Sequence, residues 1–184
     1  MTNLPSYPNC FVCGRNNQAG TNVTFTATEA GVECEYRADP RHQSYEGVLH
    51  GGVISALLDE CMGWAVTVRR GRMHVTGELT VRYFKPLAIN TTVRVHATMD
   101  VNQDAAKPYS VSSGLVQDDQ GNVYAKARGT FFPIPQEYED HVMGYLTYCD
   151  DPERVVTMRG ISQVGSVVRY TETSSSADCK GVAK

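Results

Sequence analysis

One stretch of this chain repeats its apolar residues every three or four positions, and almost everything around it repeats them every two. From Gly52 to about Arg70, the residues Ile54, Leu57, Leu58, Cys61, Ala65 and Val68 fall on one face of a helix. The run closes on Arg69-Arg70-Gly71, a basic last turn followed by glycine, which is a common way for a helix to stop. Either side of it the text alternates. Val23 to Thr28 and Val32 to Arg37 precede the helix. HVTGELTVRYF (74–84), TTVRVHATMDV (91–101), YSVSSGLVQDD (109–119) and NVYAKARGTFFPI (122–134) follow it, the last two joined through Asp119-Gln120-Gly121-Asn122. Strands with one polar face suit an antiparallel sheet covered on a single side. Only one long helix is available to cover it, so the expected class is α+β: a sheet wrapped around one central helix.

The rest of the chain is less regular. A length of 184 residues suits one domain with a proper core. The first sixteen residues are Pro/Asn-rich and are expected to be irregular; after Pro135, QEYEDHVMGYLTYCDDPERVV suggests a short helix and turn. GISQVGSVVRYT suggests a strand, and SSSADCKGVAK a disordered tail. The expected division is therefore an N-terminal segment (1–16), a main domain (17–137) and a C-terminal extension (138–184). A formal net charge of −3 argues against a nucleic-acid surface or a polybasic membrane surface. MTNLPSYPNCFVCG has neither a basic n-region nor an apolar run, and no stretch approaches the roughly 20 apolar residues of a membrane span. A cytoplasmic location is expected.

The six cysteines are scattered at positions 10, 13, 34, 61, 149 and 179, in a chain with its own hydrophobic patterns, so reduced thiols are expected rather than a disulfide framework. Cys10 and Cys13 form one CxxC, half of a structural zinc site. Four ligands are needed, no second CxxC or CxxH follows, and His42 and His50 are far along the chain. The expectation is no metal, and two small semi-buried residues in a turn ending at Gly14.

The helix begins with VLHGGVISALLDE (48–60). Glycine at a helix start leaves the free N–H groups open to close approach, at the positive end of the helix dipole. Such a place suits an anion, or a carbonyl oxygen that becomes one during reaction. Gly51 and Gly52 could form an oxyanion hole. Asp59 lies eight residues after Gly51, about 12 Å along the axis at 1.5 Å per residue. One helix cannot bring both ends to one carbonyl, so a catalytic Asp59 would have to meet the glycines of a second copy, in a symmetric dimer. The plainer possibility is that the glycines permit close packing and Asp59 sits on the wet edge. His50 suggests a residue satisfying local backbone more than a base.

Four separate segments then resemble one family. CFVCGRNNQAG (10–20), HQSYEGVLHGGVISALLDECMGWA (42–65), TGELTVRYFKPL (76–87) and AKARGTFFPI (125–134) are similar, in order, to segments of hotdog-fold acyl-CoA thioesterases of the phenylacetate-pathway-like subgroup. The resemblance covers about residues 10–135. It implies a central helix wrapped by a curved antiparallel sheet, protomers joined edge to edge as homodimers and often as tetramers, and a thioester bound at the interface. The substrate would be an acyl-CoA or an acyl-carrier-protein thioester. Gly51 would offer its N–H to the thioester carbonyl, and Asp59 of the other protomer would act as nucleophile or as general base. Thr76 falls where related enzymes carry a hydroxyl that helps hold the carboxylate or the water. No metal and no redox cofactor is implied.

One departure stands out. Many members place Asn six positions before the motif's histidine; this chain has Ser44 there, with Gln43 beside it as an alternative amide donor. Glu60 is the competing carboxylate, about 100° round the helix from Asp59, and a solvated or structural role is expected of it. Lys85, Lys126 and Arg128 are candidates for nucleotide phosphates, though each could equally be a solvated strand charge. Trp64, Tyr83 and Phe84 could line the acyl pocket or simply pack. Two other functions suit a hotdog domain: a non-catalytic acyl-CoA binder or sensor, and a dehydratase or hydratase. A binder gains nothing from a carboxylate beside a carbonyl that turns negative, and the His50-to-Asp59 spacing fits thioesterases better than a His/Asp proton-transfer pair.

Overall fold

The computed structural model describes residues 2–100 and 107–148. The strand suggested by GISQVGSVVRYT, the tail suggested by SSSADCKGVAK, and Cys149 and Cys179 lie outside them. Strand β1 is Thr2–Asn3, β2 Thr26–Thr28 and β3 Gly31–Arg37; helix α1 follows at Gly51–Arg70. After it come β4 (His74–Tyr83), β5 (Thr92–Met99), β6 (Ser110–Gln117), β7 (Val123–Pro133) and a short helix α2 (Gln136–Met143). The strands make one sheet in the order β1-β2-β3-β5-β6-β7-β4, and every neighbouring pair is antiparallel. This is the expected sheet around one long helix.

Period-two alternation becomes a buried face because one side of the sheet meets α1. On β3, Val32, Cys34 and Tyr36 are buried while Glu35 and Arg37 are exposed. Val93, Val95 and Ala97 on β5, and Ala125, Ala127 and Phe131 on β7, face the same way. Against them α1 presses Leu57, Leu58, Cys61, Met62 and Val66, all essentially without exposure. Burying a side chain of this size contributes about 1.5–3 kcal/mol, so this layer dominates the stability. α1 is, by length and composition alone, apolar enough to cross a membrane, contrary to the sequence expectation. Its apolar residues instead form the floor beneath the sheet.

The N-terminal segment is less irregular than its composition suggests. β1 pairs with β2, Ser6 bridges to Thr147, and Leu4, Val12 and Cys13 enter the core. A two-residue strand is too short for any periodicity to announce. β4 departs the other way. Its sequence alternates, yet most of the strand is exposed, with Val75 at 55% and Tyr83 at 47%. β4 is the outer edge of the sheet, paired only with β7 among the described residues. Its register slips between Thr76 and Glu78, so Gly77 is the extra residue of a bulge. A Cβ at Gly77 would collide with the ring of Phe132.

Candidate active site

The mouth of α1 is built by its own capping. His50 is the N-cap, with extended backbone, and its Nδ1 accepts the Gly52 N–H at 2.9 Å. A side-chain acceptor at this position satisfies one of the otherwise unbonded amides of the first turn. The two glycines are therefore not equivalent. The Gly52 N–H is taken by His50, whereas among the described residues the Gly51 N–H has no partner. Tyr83, from the far end of β4, donates its hydroxyl to Gly51 O at 2.9 Å and is hydrogen-bonded to Ser55 Oγ. With that proton committed, Ser55 donates to Tyr83. The Gly51 peptide is thus gripped on its carbonyl side. Tyr83 and Ser55 are positioning groups that periodicity could not reveal, because the contact spans 32 residues.

Two turns further along, Thr76 Oγ1 donates to Asp59 Oδ1 at 2.7 Å. The bulge at Gly77 follows Thr76 directly; bulges commonly re-aim a neighbouring side chain. Because α1 is continuous from Gly51 to Arg70, Asp59 and Gly51 of one chain stay about 12 Å apart along the axis. Both groups lie along the β4 edge, at opposite ends of it: Asp59 by Thr76 at the start of the strand, Gly51 by Tyr83 at its end.

Gln43 is exposed, bridges to Leu49 beside the helix mouth, and accepts the Gly47 N–H through Oε1 at 3.3 Å. Its amide nitrogen remains available as a donor. Ser44 is exposed, and its backbone N–H donates to Val48 O. A 3-10 turn at Pro40–His42, held by Asp39 and its bidentate partner Arg41, delivers both residues to this place. The Arg41 guanidinium draws the Asp39 carboxyl down to about 2. Lys85 Nζ sits 4.5 Å from the Tyr124 ring centroid, and Lys126 Nζ lies over Phe84 at 5.9 Å. Arg128 pairs with Asp100 at 3.7 Å. Lys126 and Arg128 are exposed on the outer face of β7, across the sheet from α1. Trp64 is buried, whereas Phe84 is exposed. Glu60 turns away from Asp59 and lies against Cys10, whose thiol donates to Oε2 at 3.1 Å; burial pushes its carboxyl up to about 8. Glu60 is partly buried, against the N-terminal turn.

A long helix cupped by an antiparallel sheet defines the hotdog fold, and comparison with known proteins agrees. Residues 46–100, which span the helix, β4 and β5, match the thioesterase superfamily. The acyl-coenzyme A thioesterase THEM4 of Bos taurus is 22% identical over 109 residues, which is 59% of this chain and 44% of that protein. The aligned region thus spans less than half the length of that relative. Among solved structures, a thioesterase superfamily protein superposes with a TM-score of 0.60 at 21% identity, over 67% of this chain and 60% of its own. A Streptococcus mutans protein solved bound to acetyl-CoA gives 0.54 at 24% identity, over 61% and 89%.

Proposed function

We propose that two copies of this chain pair along β4 about a two-fold axis, and that each seam hydrolyses the thioester of an acyl-CoA or acyl-carrier protein. The observation that carries this is the placement of an unbonded Gly51 N–H and a Thr76-held Asp59 at opposite ends of one exposed edge strand. Antiparallel pairing of two such edges brings unlike ends together: the mouth of one helix beside the aspartate of the other. The superfamily match over 46–100 and the acyl-CoA thioesterase relative support the chemistry, and the acetyl-CoA-bound relative of the same fold supports the ligand class.

In this reading the Gly51 N–H, at the positive end of α1, hydrogen-bonds the thioester oxygen as it turns negative. Asp59 of the partner either attacks the carbonyl carbon, giving a mixed anhydride that water then hydrolyses, or takes a proton from a water that attacks. In both, the C–S bond breaks, the water oxygen ends in the acid and a water proton ends on the thiol. Water is the only co-reactant the balance requires. Gln43 adds an amide donor at the rim of the mouth. Lys85 follows the end of β4 and is the candidate for nucleotide phosphates, while Lys126 and Arg128 face the other side of the sheet. The test is free-thiol release from a panel of acyl-CoAs followed with a thiol reagent. Turnover that Asp59→Ala abolishes supports the enzyme. Tight binding without release from any member would sink it in favour of an acyl-CoA sensor.

A further inference from the structure

The side of α1 facing away from Asp59 carries a second cluster. The N-terminal turn brings Cys10 and Cys13 against Glu60, fifty residues later in the chain, and the two sulfurs and a carboxylate oxygen all lie within 4.8 Å of one another. Cys10 Sγ and Glu60 Oε2 are 3.1 Å apart. We propose that Cys10, Cys13 and Glu60 form a binding site for a thiophilic divalent cation, zinc above all, which clamps the N-terminal segment onto the middle of α1.

Three features of the cluster support a cation over simple packing. The first is the turn itself. The backbone N–H of Val12 donates to Cys10 Sγ at 3.3 Å. An amide aimed at the sulfur favours its thiolate, the form that binds metals. The second is Gly14. A Cβ there would clash with Cys10 N and lie 2.6 Å from Pro8 O, backbone atoms that cannot swing aside. Only glycine lets the CxxC close this tightly. The third is Glu60. Its Oε2 accepts from the Cys10 thiol, the Cys13 sulfur lies within 4.8 Å, and no salt bridge joins it to a basic side chain among the described residues. A partly buried carboxyl that faces two sulfurs and no basic group is the setting a bound cation compensates.

Two thiolates select zinc over magnesium or calcium. At Zn–S of about 2.3 Å and Zn–O of about 2.0–2.2 Å, tetrahedral donors stand about 3.5–3.8 Å apart, inside the spread already present. Three protein donors leave the fourth position to a solvent molecule. Any protons the three groups carry pass to solvent as the cation enters. The clamp does not depend on the thioesterase reading, and its tests read metal uptake rather than turnover.

The experiment uses the full chain, reduced and stripped with a chelator, then titrated with Zn2+ and separately with Co2+. One ion per chain is expected, with the near-ultraviolet absorption of cobalt bound to thiolate. Glu60→Gln preserves the size of the side chain and should weaken uptake roughly tenfold or more, because one anionic donor is lost. Cys13→Ser should remove most of the thiolate–cobalt absorption. Should the cysteine variant misfold, Glu60→Gln still decides. No stoichiometric uptake by the reduced wild type, or equal uptake by wild type and Glu60→Gln, overturns the site.

Discussion

At the residue scale, the proposed hydrolysis turns on the Gly51 N–H, because His50 has already taken its neighbour's. Proline at this position tests it cleanly. Gly51 is the first helical residue, where proline's φ is suited and its missing N–H is the only donor lost. The residue before it, His50, already has the extended backbone that a following proline demands. Gly51→Pro is expected to leave the melting temperature nearly unchanged and lower kcat by about 10²–10³-fold; steady-state kinetics beside thermal melts would check both. Thr76→Val removes the hydrogen bond that aims Asp59. Such a bond is worth about 1.5–3 kcal/mol, and the exposed setting puts the expected fall in kcat near the lower end, about tenfold. KM should change little, since Thr76 acts through Asp59. Gly51 and Asp59 stand out in the chain by their spacing, as helix-start glycines and a carboxylate eight residues on, whereas Thr76 is marked only by the family resemblance. His50 serves local backbone as expected, but which glycine it caps is not readable in the chain, because that depends on which nitrogen turns back on the helix.

At the scale of elements, period decides what can be read. α1 and the four strands after it appear within a residue or two of their expected ends, because each is long enough for its period to repeat several times. β1 and the Gly77 bulge leave no such trace. Nor does the meeting of Glu60 with Cys10 and Cys13, since it joins a turn to a helix across fifty residues. The sequence shows half of that cluster as a CxxC, and only the packing of the N-terminal segment supplies the rest. Gly14 is where this element is most brittle. Gly14→Ala would force the turn open against backbone atoms, with a cost of about 1–3 kcal/mol for overpacking. A lowered melting temperature together with lost metal uptake is expected. Loss of stability in the melt with uptake intact would separate the turn from the clamp.

At the scale of the whole molecule, the β4 edge governs the rest. A ten-residue edge strand with exposed Val75 and Tyr83 is an invitation to pair. Sedimentation or light scattering is expected to report a dimer, and Val75→Lys on that edge should yield monomers without turnover. A mixing experiment goes further. Asp59→Ala and Gly51→Pro are each inactive at both seams, but a mixed pair holds one seam with a sound mouth and a sound aspartate. After random exchange of subunits, half the pairs are mixed, so about a quarter of wild-type activity should return. No recovery, with exchange verified, would place both groups in one chain's own site and end the two-subunit mechanism.

Asp59 and Glu60 are consecutive, yet one faces the open edge and the other the N-terminal turn. Lengthening α1 by a single residue upstream of them would rotate both by about 100° and blind the two faces at once. A heptad's insertion would nearly restore their aim while moving the mouth a further two turns away. The phase of this one rod, more than either neighbourhood alone, limits how the chain can drift and still keep both its chemistry and its fastening.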